Sequence, residues 1–249
     1  MLLVVQSSAI LLTAQNKPYF QQKVDYKIAV SLDDKKHTLT GKADISYQNN
    51  APEPLSKITF LLQPNAYKSK LSAFAKQQLR NGSTRFYFAE PSEMGGLSGL
   101  DFRLDGKKLE VDIDATNADI AVVTLPQPLA SGASATISTP FVYKMPYGFS
   151  RGGHYGQQYL ATQWFPKPAV FDADGWHPQP YLDQGEFYAD FGNYDVSITL
   201  PENYVVGATG VLQTASEVAF LKKKAADTEG LLSIKNAQLK IKNESTPSF

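Results

Sequence analysis

Over residues 24–32 the apolar side chains Val24, Tyr26, Ile28, Val30 and Leu32 alternate with Asp25, Lys27, Ala29 and Ser31. A strict period of two predicts a half-buried strand. Asp33-Asp34-Lys35-Lys36 interrupts the pattern, and Leu39, Gly41, Ala43, Ile45 and Tyr47 resume it, so the two runs predict an antiparallel hairpin. The same alternation returns at Ile58, Phe60 and Leu62, at Phe102 and Leu104, and at Leu109, Val111 and Ile113. Asp105-Gly106 supplies a tight turn between the last two sets. Tyr194, Val196, Ile198 and Leu200 repeat the pattern near the end. It assigns Tyr26, Ile28, Val30, Ile45, Tyr47, Phe60, Val196 and Ile198 to the core. Helical patterning is sparse. Residues 69–80 place Leu71, Phe74, Ala75 and Leu79 on one face, with Asn81-Gly82 as a stop. Residues 217–227 are rich in Ala, Lys and Leu and predict a second short helix, followed by a strand pair near 231–241. The pattern is that of a mainly β chain, mostly antiparallel, with one or two short helices. No period of 20 to 50 residues recurs, which disfavours propellers and solenoids.

Composition narrows the chemistry. At 249 residues and 43 % hydrophobic content the chain can build a sizeable core of one large or two small domains. Lys plus Arg and Asp plus Glu both number 24, so no charge excess favours nucleic acid or an anionic membrane. With no cysteine there are no disulfides, thiolate zinc sites or cysteine nucleophiles. The three histidines, His37, His154 and His177, are too far apart for a His-Glu-x-x-His zinc motif. Residues 2–13 form an apolar run of signal-peptide length, followed by Ala14-Gln15 and a polar stretch. Residues 1–15 are therefore expected to be an export signal, the alternative being a buried first strand. The run is too short to span a bilayer, and no other segment is a candidate. The expected location is periplasmic or extracellular.

Residues 146–193 break the strand period with crowded aromatics, prolines and glycines, and such long irregular stretches tend to carry function. Asp172-x-Asp174-Gly175 has the opening of a calcium loop but lacks its later ligands, and reads as a turn. Glu186 with Asp183 or Asp190 offers a carboxylate pair, for which solvated loop charges are the simpler account. His154 and His177 are candidate metal ligands or structural, hydrogen-bonded histidines. Trp164, Trp176, Tyr181 and Tyr188, with His177 among them, form either an aromatic platform for a sugar or peptide or a core beneath the loop.

The run Thr162-Gln163-Trp164-Phe165-Pro166-Lys167-Pro168-Ala169-Val170-Phe171-Asp172, then Gly175-Trp176-His177-Pro178 and Tyr181-Leu182-Asp183-Gln184-Gly185-Glu186-Phe187-Tyr188, resembles the amino-terminal β domain of zinc metallopeptidases of the aminopeptidase N and leukotriene A4 hydrolase type, in a branch of exported bacterial proteins. Residues 194–201 and 205–210, and the opening hairpin, extend the resemblance over about 19–210. It implies a saddle-like domain of antiparallel sheets, or sandwich, over residues 16–215, with 216–249 a linker or the start of a truncated continuation. In that family the zinc and its His-Glu-x-x-His motif lie in the next domain, to which nothing in this sequence corresponds. The resemblance thus implies a non-catalytic piece with no cofactor of its own. Zinc, a peptidase domain in cis and a peptide substrate belong to the full-length parent. Family members place a Gln, and two residues later a Glu or Gln, at the rim of the active site against the substrate's free amino terminus. Gln163 matches the first position, whereas Phe165 stands at the second, and a phenyl ring accepts no hydrogen bond from an ammonium. Gln163, Trp164 and Phe165 are the rim candidates, and Trp176, His177 and Tyr181 the aromatic candidates. The alternative is a stand-alone exported module binding carbohydrate or peptide through those aromatics.

Overall fold

The computed structural model describes residues 19–244, with side chains as far as residue 235. The expected signal segment, residues 1–15, lies outside them. The chain divides into two units, residues 1–200 and 201–249.

In the first unit the alternating runs become the expected hairpin, β1 (Lys23–Asp33) and β2 (Thr38–Gln48), paired antiparallel in unbroken register. Burial alternates along both strands, and the buried row is the predicted one. Further strands follow: β3 (Leu55–Leu61), β4 (Gly96–Ser98), β5 (Arg103–Leu104), β6 (Lys107–Lys108) and β7 (Glu110–Ile113). Asp105 and Gly106, both at positive φ (51° and 76°), make the tight turn between β5 and β6. β8 (Ile120–Leu129) and β9 (Ser134–Lys144) are long strands; the alternation of β8 ends at Pro126 and Pro128, whereas that of β9 runs through Pro140. Pro140 falls between the stretches of β9 that pair with β4 and β5, where no neighbour is denied a hydrogen bond. Last come β10 (Gly153–Tyr155), β11 (Gln158–Leu160), β12 (Lys167–Pro168), β13 (Phe171–Asp172), β14 (Gly175–Trp176) and β15 (Tyr194–Thr199).

One sheet runs β15-β1-β2-β9-β5-β6, with β4 also on β9, and a second runs β12-β3-β8-β7. Ile28, Ile45 and Ile137 from the first share a core with Ile58, Phe60 and Val123 from the second, so the sheets form a sandwich. A smaller cluster gathers Tyr67, Phe74, Phe86, Phe149 and Tyr181. Its helix α1 (Ala73–Arg80) is capped by the Ser72 hydroxyl, which accepts from Ala75 N, and stops at Asn81 and Gly82. Phe74, Ala75 and Gln78 form its buried face, while Leu71 and Leu79, expected to share it, are exposed.

Two expectations are corrected. β15 pairs with β1 in parallel within an otherwise antiparallel sheet. Its register sets Val196 opposite Ile28 and Ile198 opposite Val30, so both point to the core side of the sheet. They are nevertheless 38 % and 40 % exposed, because β15 is the sheet's outermost strand and extends the core-facing rows beyond their cover. In the second unit, α2 (Ala215–Glu244) is a 30-residue helix that runs through the stretch expected to form a strand pair. Its Ala, Leu, Lys and Glu content favours helix throughout, and the single Gly230 costs only about 1 kcal/mol.

Candidate functional site

The segment from Pro146 to Asn193 is tied to the sandwich at intervals by short strands and single side chains. Arg151 O accepts from the Thr162 hydroxyl at 2.7 Å, closing the loop around β10 and β11. Gln163 follows in the left-handed region (φ 52°), uncommon for a non-glycine residue. The chain then enters β12, where Lys167 and Pro168 pair with Leu61 and Phe60. Trp164 packs 6.0 Å from the Phe141 ring and Phe165 meets Tyr26 edge-on at 5.5 Å, both half-buried on the core. The rim candidates are therefore contiguous: Gln163 turns the backbone while the two aromatics anchor it.

Lys167 was not among the expected site residues, yet it is 5 % exposed. Its ammonium donates to Gln163 Oε1 and lies 5.8 Å from the Phe187 ring centroid. Burial alone pushes its pKa down to about 8. Arg151 approaches the same Phe187 ring at 4.9 Å and donates to the backbone oxygens of Asp183 and Gly185. The sequence signal for Lys167 is a lone charge inside the apolar run from Trp164 to Phe171.

Around β13 and β14, Asp172 Oδ1 accepts from Asp174 N at 2.9 Å and lies 2.8 Å from His177 Nε2, so the Asp-x-Asp-Gly stretch is a side-chain-closed turn. The hydrogen bond with His177, then that from Asp174 N–H, holds the Asp172 carboxyl below its ordinary range. Tyr188 OH reaches Asp172 Oδ2 at 3.5 Å. Trp176 packs on Phe171 (4.9 Å) and Tyr47 (6.3 Å). Tyr181 is fully buried: its backbone N donates to Asp119 Oδ2 at 2.6 Å and its hydroxyl accepts from Tyr67 OH at 2.8 Å. A cavity of about 230 Å³ opens beside it, lined by Leu61, Gln63, Leu182, Phe187 and Tyr188 among others.

His154 and His177 go to different neighbours. His154 stacks on His37 with ring centroids 3.7 Å apart, while His177 belongs to Asp172. Of the acidic residues, Asp190 is half-buried, and burial followed by the Asp172 charge raises its carboxyl pKa. Among the described residues there is no group of three or more His, Asp or Glu that could hold a metal ion. No described helix is long and apolar enough to cross a membrane.

No protein-family model matches the sequence, and no curated protein matches it. Comparison with solved structures finds M1 zinc metallopeptidases, the family that the residues around Trp164 and Trp176 resemble. The enzyme from Deinococcus radiodurans is 18 % identical, with a TM-score of 0.41 over 79 % of this chain and 35 % of that one. A two-domain M1 zinc metallopeptidase variant bound to L-arginine gives 18 % identity and 0.41 over 79 % and 36 %. A variant of the Deinococcus radiodurans enzyme bound to a Tyr-Ser-Ala substrate gives 17 % and 0.41 over 79 % and 36 %. This chain thus spans little more than a third of the length of those structures.

Proposed function

We propose that this chain is the non-catalytic amino-terminal β domain of an exported zinc metallopeptidase resembling aminopeptidase N. In this reading it packs on a peptidase domain in cis and walls one side of the cleft, with Gln163, Trp164 and Phe165 at the rim. Zinc and the hydrolytic step belong to the partner domain. The observation that carries the reading is the uncovered apolar run of Tyr188, Phe191, Tyr194, Val196 and Ile198, which leads out of the aromatic loop onto the sheet edge. Phe191 is 86 % exposed, and β15 carries a core-type alternation that the described residues leave exposed. Soluble chains seldom leave such a stretch open unless another surface covers it. The packing of Trp164 and Trp176 onto the core also leaves less ring surface for an independent sugar platform.

The test is the intact mass of the native protein, detected in its source cells with an antibody to residues 146–193. A mass well above 27.4 kDa is expected. A native product at or below that mass would overturn the assignment and make the aromatic loop the place to seek a ligand.

A further inference from the structure

A lysine ammonium has donors only, so the amide of Gln163 must face Lys167 with its oxygen. That bond fixes which end of the amide remains for anything else. Gln163 Nε2 has no partner among the described residues and is not among the atoms sealed from solvent. The available end is therefore a donor pair. Two residues on, Phe165 offers no acceptor at all. The charge that touches Gln163 is positive, the Lys167 ammonium, and the Arg151 guanidinium lies against the same Phe187 ring. No carboxylate among the described residues is ion-paired with either of them. Gln163 stands in a left-handed conformation between the Thr162 bond to Arg151 just before it and the packed rings of Trp164 and Phe165 just after it. The bond from Lys167 thus sets the amide with its oxygen inward and its NH2 outward.

A free peptide amino terminus is a cation that needs acceptors. An acylated amino terminus is neutral and presents a carbonyl oxygen that needs donors. We infer that Lys167 sets the specificity of this rim by engaging Gln163 Oε1, so that the rim receives an acyl oxygen, as in a peptide with a blocked amino terminus, and rejects a free α-ammonium. Lys167 acts here as a positioning residue, and Gln163 Nε2 is the group that touches the ligand. The inference rests on the proposal that Gln163 lies on a peptide-facing rim.

The test compares the tripeptide amide Leu-Ala-Leu-NH2 with its N-acetyl form, which differ only at the amino end. Each is titrated at pH 6.5 into the full chain while the Gln163 side-chain amide signal is followed by 1H–15N NMR. The N-acetyl peptide is expected to shift that signal with an affinity about tenfold or more above the free amine. Lys167→Met, which frees the amide to turn and removes the charge, should bring the two affinities together. Gln163→Glu, which supplies acceptor oxygens only and is followed through the backbone amide signals of residues 163 and 164, should reverse their order and gives an independent check should the Lys167 variant fail to fold. A free amine that binds wild type as well as or better than the acetyl form overturns the inference and leaves the domain assignment standing. Failure of both peptides to move any rim resonance at millimolar concentration overturns both the peptide-facing rim and this inference. The native mass continues to report on the assignment separately.

Discussion

At Lys167 an ammonium with three donors meets a site that offers one strong acceptor, Gln163 Oε1, and the π face of Phe187. Its depression from 10.5 to about 8 means that the charged form is disfavoured in the folded chain by about 3 kcal/mol. The sign follows from proton binding. Between pH 8 and 10.5 the unfolded chain holds the proton and the folded chain does not, so stability rises with pH across that window. Below pH 8 both states are protonated and the full penalty is present. Lys167→Met keeps most of the volume and removes the charge, at the loss of one hydrogen bond that contributes about 1 kcal/mol. The variant is expected to be more stable than wild type by about 2 kcal/mol at pH 7, with the difference shrinking as pH approaches 10.5. Urea denaturation at pH 7 and pH 10 checks this. A variant less stable at both values would mean that the ammonium is better compensated than its neighbours indicate. A residue that weakens the fold while fixing its neighbour's amide is the usual form of a functional compromise.

Among the elements, the turn from β1 to β2 and the hairpin of β10 and β11 are joined by a stack of two imidazoles. The Tyr159 hydroxyl donates to Asp34 O at 3.2 Å and so accepts a hydrogen bond from His37 Nδ1, 2.7 Å away. His154 Nδ1 lies 3.2 Å from Gly156 O and its ring 3.7 Å from that of His37. Burial, then the His37 charge and to a lesser degree Lys144, lowers the His154 pKa below 6.5. Because the unfolded chain takes up this proton first, stability falls as pH drops below 6.5 toward the folded value. Acidification is expected to loosen the hairpin, seen as faster amide exchange at Gly153 and His154. His37→Ala should weaken that pH dependence, and exchange that is flat between pH 7 and 5 in wild type would refute the idea. Elements differ in how far sequence reveals them. Period-two alternation gives β1 and β2 directly, because each buries one face, whereas β3 buries both faces from Ile58 to Leu61. β8 and β9 carry the same signal, but their prolines at 126, 128 and 140 argue against a strand by propensity. The His37–His154 stack joins residues far apart in sequence, and no local pattern encodes it. Lys167 and Gln163 are close in sequence, but their bond requires the left-handed turn at Gln163, for which a glutamine gives no hint. In α2, helical propensity spread over 30 residues outweighed the β-type apolar residues near Leu231.

Over the whole molecule, the discrepancy that matters is the position of Val196 and Ile198. Alternation reports that a strand has one apolar face and says nothing of what covers it. Here Tyr194, Val196 and Ile198 continue the core-side rows of Tyr26, Ile28 and Val30 by one strand, and Tyr194 stacks on Tyr26 at 4.7 Å. Gly192 makes this attachment possible, since a Cβ there would fall 1.7 Å from Val24 O, and Asn193 secures it through two hydrogen bonds to Asp25 Oδ1. β15 is therefore firmly placed rather than loosely associated, and its apolar side chains are presented in order along a free sheet edge. Such an edge without a covering partner favours edge-to-edge association. The chain by itself is expected to self-associate at micromolar concentration and to bind a hydrophobic dye. The double substitution Val196→Glu with Ile198→Glu should yield a monomer by light scattering. Because both residues are exposed, it should change stability by no more than about 1 kcal/mol. A large loss of stability would instead show that β15 is internally covered in solution. A wild-type chain that stays monomeric and binds no dye would mean that water suffices on this face, removing the observation on which the domain assignment rests.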